Sequence, residues 1–63
     1  MLERLALVRG TRAEITEELE SLGQDAARNG KRDKARAFAD ALVRVQAGDG
    51  WVEVHHSAYY VVE

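Results

Sequence analysis

Ile15, Leu19, Leu22 and Ala26 stand four, three and four residues apart, and this spacing restricts the folding of the chain more than any other feature. At 3.6 residues per turn it aligns all four along one side of an α-helix. Thr16, Glu17, Glu18, Glu20, Ser21, Gln24 and Asp25 lie between them and belong in water. A helix with one apolar stripe is marginal alone and has to bury the stripe against another element. The rest of a 63-residue chain must supply that cover.

A chain of this length makes a single domain, 1–63, whose small core calls for reinforcement by disulfides, a metal or a second copy. Cysteine is absent, which removes disulfides and thiolate metal sites. Self-association is the remaining way to enlarge the core, so a homodimer or higher oligomer is expected. No apolar run reaches the ~18 residues of a membrane span. Met1 to Arg9 is broken by Glu3 and Arg4 and lacks a signal-peptide cleavage pattern. The expectation is a cytoplasmic protein without membrane contact. Nine basic and 11 acidic side chains leave a net charge of −2, with no general attraction to nucleic acid or anionic lipid. The acids gather over residues 14–25 and the bases over 28–36, an order that complements a helix dipole.

Read as helix, Met1, Leu5 and Val8 continue the seam of Ile15 in phase, broken only by Arg12. This predicts one long helix over about 2–29. The competing reading makes Leu5 to Val8 a short strand ended by Gly10. Thr11 then caps a new helix, with Glu14 three positions on completing a capping box. Asn29-Gly30 is a stop signal. A second helix over about 33–47 starts at the candidate cap Asp33 and carries the stripe Ala35, Phe38, Ala39 and Leu42. Two helices joined by so short a turn pack as an antiparallel hairpin. The predicted core is Leu5, Val8, Ile15, Leu19, Leu22, Phe38, Ala39 and Leu42.

Gly48-Asp49-Gly50 ends the helical pattern, and from Trp51 the period changes to two. The β segment, about 51–62, is either one strand bent at Ser57-Ala58 or a hairpin turning at His56-Ser57. An earlier β start, over Val43 to Gln46, is a weaker competitor because nothing stops the helix before it. The fold class is α+β: an antiparallel two-helix hairpin followed by a C-terminal β-strand or β-hairpin, in an oligomer.

Candidate chemistry is sparse. Adjacent histidines on a strand point to opposite faces, so His55 and His56 do not clasp one metal. Zinc would need about four ligands. Ser57 beside His56 is not relay geometry, and Gly48-Asp49-Gly50 is too short to cradle phosphate. No catalytic residue, cofactor or metal is expected. Trp51, Tyr59 and Tyr60 are the informative group, since Trp and Tyr bury large area yet keep a polar tip. The C-terminal strand also offers an unpaired edge. These features point to a small non-enzymatic protein–protein interaction or regulatory accessory protein, acting as a homo-oligomer, with those three aromatics as partner-binding anchors.

With Met1 to Arg9 as a strand, the order strand, helix, turn, helix over Leu5 to Gln46 loosely resembles the ribbon-helix-helix repressors. That resemblance implies a dimeric DNA-binding regulator whose two-stranded ribbon enters the major groove. Arg4 and Arg9 would then read bases, and Arg28, Lys31 and Arg32 would lie near phosphates. The negative net charge and the C-terminal Trp-Tyr-Val segment depart from that pattern.

Overall fold

The computed structural model describes residues 5–63. Five elements follow in order: β1 (Ala6–Gly10), α1 (Arg12–Arg28), α2 (Arg32–Gln46), β2 (Trp51–Val54) and β3 (Ser57–Val61). The α+β class and the two-helix hairpin are present, with a three-stranded mixed sheet where one or two strands were expected.

The long N-terminal helix is corrected: residues 6–10 are strand, and the part expected over residues 2–4 lies outside the described residues. The reason is local. The Thr11 side chain accepts from the Glu14 backbone N–H at 3.2 Å, and Glu14 Oε1 accepts from the Thr11 N–H at 2.9 Å. This reciprocal box satisfies two donors that a helix start otherwise leaves open. Running the helix back through Gly10 would forgo both bonds and place glycine in a helix interior. Arg12, the residue that breaks the apolar seam, is used elsewhere. Its guanidinium donates to Val45 O at 2.6 Å and Asp49 O at 3.0 Å, and pairs with Glu63 at 2.7 Å. One side chain thus ties the start of α1 to the end of α2, the following loop and the C-terminus.

Both helices close in the same way. Gly30 and Gly48 take left-handed φ values of 72° and 116°. The Lys31 and Gly30 N–H groups reach back to Ala26 O and Ala27 O, as do those of Asp49 and Gly48 to Arg44 O and Val45 O. These are paired Schellman closures, which glycine permits without a Cβ penalty.

β3 is the central strand. It runs parallel to β1 and antiparallel to β2, giving the order β1-β3-β2. Val8, Tyr59 and Val52 are register partners and share the face that meets the helices. Val54 and Val61 join them against Ile15, Leu19, Ala26, Phe38, Ala41 and Val45. Two core assignments need correction. Leu5 is exposed, and α2 buries Phe38, Ala41 and Val45 in place of Ala39. Because α2 is apolar over much of its circumference, its pattern alone leaves the buried side ambiguous. Leu22 and Leu42 are partly buried beside the core.

The β2–β3 connection is a two-residue turn at His55-His56, one position before the sequence expectation. His55 supplies the left-handed residue, with φ 54°. Its ring rests on Phe38 with centroids 5.5 Å apart. The Cα framework measures 33 × 33 × 14 Å, thin enough for one helix layer on one sheet and nothing beyond. Among the described residues, nothing covers the other sheet face. No helix among the described residues is long and apolar enough to cross a membrane.

Candidate functional site

Strand alternation decides which side chains occupy the open face. Val8, Tyr59 and Val52 point to the helices, so their sequence neighbours point away. The outward rows are Arg9, Tyr60, Trp51 and Leu7, Ala58, Glu53, reading across β1, β3 and β2. Leu7 is 56 % exposed, Trp51 49 % and Tyr60 41 %. Ala58, short and flanked by larger groups, is covered where it sits. Trp51 and Tyr60 face each other across the strands with ring centroids 6.1 Å apart at 54°. This tilted geometry suits two rings whose edges carry positive and faces negative partial charge. The Trp51 indole N–H donates to Glu53 Oε2 at 3.1 Å, which fixes the outer edge of the ring.

The three aromatic anchors therefore divide. Trp51 and Tyr60 stand together on the open face. Tyr59 is corrected: it is only 3 % exposed and lies on the opposite face, within the core. Burial pushes its phenol above the ordinary value, the Ser57 hydroxyl opposes this, and the Glu18 carboxylate adds to the rise. Leu7 takes the place Tyr59 was expected to fill. The sequence signal for it was the alternation of Leu5, Leu7 and Arg9 against Ala6, Val8 and Gly10, which the helical seam had masked.

The basic residues do not come together. Arg4 lies outside the described residues. Arg9 stands on the open sheet face beside Tyr60. Arg28, Lys31 and Arg32 surround the α1–α2 turn, at the far end of a 17-residue helix. At 1.5 Å per residue that is ~25 Å from the end near Arg9. Arg28 is also ion-paired to Asp25.

Between α1 and α2 runs an open trough of about 240 Å³, lined chiefly by Leu19, Gly23, Ala27, Ala35, Ala39 and Leu42. It offers an apolar wall with Glu20 and Gln24 at the rim, and no convergent polar groups. Among the described residues, no three His, Cys, Asp or Glu side chains gather as metal ligands. No protein-family model matches this chain, and no curated protein or solved structure matches it.

Proposed function

We propose that this chain is a small non-enzymatic protein–protein interaction module of the cytoplasm, acting as a homo-oligomer with a regulatory or accessory role. The open sheet face is its working surface. The observation that carries the reading is the Trp51–Tyr60 pair, joined by Leu7, on a sheet face that none of the described elements covers. Contiguous apolar surface of this kind marks contact sites on soluble proteins, and Trp and Tyr are the residues most often found at their energetic centre. The test is the double change Trp51→Ser and Tyr60→Ser. Both side chains are about half exposed, so helicity by circular dichroism should persist. Self-association by sedimentation should fall. Association unchanged in a folded variant would refute the assignment of this surface.

A DNA-binding regulator is the second reading. It is favoured by the strand at residues 6–10, the element that the ribbon-helix-helix resemblance requires. Against it, β1 is paired in parallel within its own chain, and Arg9 is separated from Arg28, Lys31 and Arg32 by the length of α1. Phosphate contacts make DNA affinity fall steeply with salt. Retention on a DNA column at low salt, lost on raising it, would support this reading over the first.

A further inference from the structure

Each row of the open face ends in one charge, and the two charges lie at opposite edges of the sheet. Arg9 closes its row on β1, and Glu53 closes the other on β2. Between them lie Tyr60, Trp51, Leu7 and Ala58. Among the described residues Arg9 has no ion-pair partner. Glu53 holds the Trp51 indole through Oε2, which leaves its other oxygen open to an incoming donor. A surface of this kind is self-complementary. A two-fold axis lying in the face along β3 turns the β1 edge of one copy over the β2 edge of the other. In such an isologous contact residue i meets j, and j meets i. The two charges are one row apart along their strands, a step of two residues or ~7 Å, which an arginine side chain can span.

We infer that the occupant of this face is a second copy of the chain. The two sheets pack face to face about a two-fold along β3, with Arg9 of each copy against Glu53 of the other. This rests on the functional reading above and adds the arrangement of the copies. Sheets packed face to face hold their strands within ~30° of each other, which keeps each β1 edge over the opposing β2 edge. Leu7, Trp51 and Tyr60, each about half exposed, present on the order of 300 Å² of apolar surface. Two such faces together bury on the order of 600 Å², below the ~1,200–2,000 Å² of standard stable interfaces. Apolar area alone therefore leaves the pair marginal. The two reciprocal ion pairs decide whether it holds and in which register, since complementary charge fixes orientation and like charge opposes it.

The test uses the full chain in sedimentation over a concentration series at low salt. Arg9→Glu and Glu53→Arg each place two like-charged pairs in the interface, and each should raise Kd by at least about tenfold. The double variant Arg9→Glu/Glu53→Arg reverses both members and should regain the wild-type Kd. The decisive measurement mixes the two single variants. A heterodimer of Arg9→Glu with Glu53→Arg contains two pairs of opposite sign, so association should return on mixing. Both residues are exposed, so circular dichroism should show all variants folded. Failure of mixing to restore association overturns the inference, as does indifference of Kd to either single reversal. If reversal has no effect while Trp51→Ser/Tyr60→Ser still abolishes association, the face is correct and this arrangement of copies is refuted. A wild-type chain that stays monomeric at hundreds of micromolar refutes both the arrangement and the homo-oligomeric reading.

Discussion

Leu19→Ala examines the centre of the fold most directly. Leu19 is 0 % exposed and belongs to the core cluster that joins both helices to the sheet. The substitution removes three carbons, worth ~0.8 kcal/mol each on transfer from water, or ~2.4 kcal/mol. A sealed cavity would add ~24 cal/mol for each Å³ left empty. Leu19 also lines the open trough between the helices, however. The space it vacates joins that trough, so solvent and neighbouring side chains relieve part of the cavity cost. The expected total is ~2.5–3 kcal/mol, at the low end of the ~2–5 kcal/mol range for buried Leu→Ala changes. Val45→Ala supplies the contrast. Val45 is also 0 % exposed but does not line the trough, so it should cost more per carbon removed. A 63-residue domain has ~3–9 kcal/mol of stability in all. Leu19→Ala should therefore lower Tm by ~20 °C. Urea unfolding followed by Trp51 fluorescence and by circular dichroism, at one fixed protein concentration, measures it. A loss under ~1 kcal/mol with unchanged m would refute the placement of Leu19. Equal cost per carbon for the two variants would refute the role given to the trough.

Gly23→Ala should stabilise the chain by up to ~1 kcal/mol, because a Cβ there meets the Phe38 Cβ at 3.4 Å, an ordinary contact, while the helix gains a better former; a lower urea midpoint would contradict this. At position 55, glycine should be the best tolerated residue and valine the worst, with a spread of ~1–2 kcal/mol. The cause is the left-handed φ of 54°, which a β-branched residue resists; equal melting of the two variants would count against the turn geometry. Acid should destabilise the fold through Glu14 and Glu63, whose carboxyls are held below the ordinary 4.5 by hydrogen bonds from Thr11 and Arg12. Their folded values are depressed, so the stability they contribute is present above 4.5 and is lost as pH falls through the lower folded values. Glu14→Gln and Glu63→Gln together should flatten stability against pH in that window, as read by urea unfolding at pH 2 to 6.

The sequence carried the α1 stripe, both glycine stops and the capping box in legible form, because each depends on residues within a few positions of one another. It misled where a longer pattern overlapped a local one. Met1, Leu5 and Val8 keep helical phase with Ile15, yet two hydrogen bonds at Thr11 and Glu14 outweigh that coincidence. The buried side of α2 was ambiguous because Ala35, Ala37, Ala39 and Ala41 surround the helix with small apolar groups. The His55-His56 turn gave little signal, since it lacks the Gly, Asn or Asp of a tight hairpin and Phe38, which supports it, is distant in sequence. Of the candidate surface, Trp51 and Tyr60 were legible from composition. Separating Tyr59 from Tyr60 required the register against Val52 and Val8, and Leu7 emerged only once β1 was known to be a strand.

The central strand of this sheet is also the fifth of the five elements in chain order. Ala6 pairs with Ser57 and Gly10 with Val61, so β1 waits for a partner some fifty residues downstream. The helical hairpin needs only local contacts and forms early; the sheet must close a loop almost as long as the chain. At ~5–20 residues per second of synthesis, β1 spends seconds with neither edge paired. During that interval its exposed strand is a place for a sibling chain or a chaperone to attach. Arrival of the seven residues 57–63 then does two things at once: β3 bridges β1 to β2, and Glu63 reaches Arg12. A chain stopped at residue 56 would retain its helices' sequence and two strands that no third strand bridges. For a molecule built this way, β3 acts as the closing piece, and its arrival is a condition of having a sheet at all.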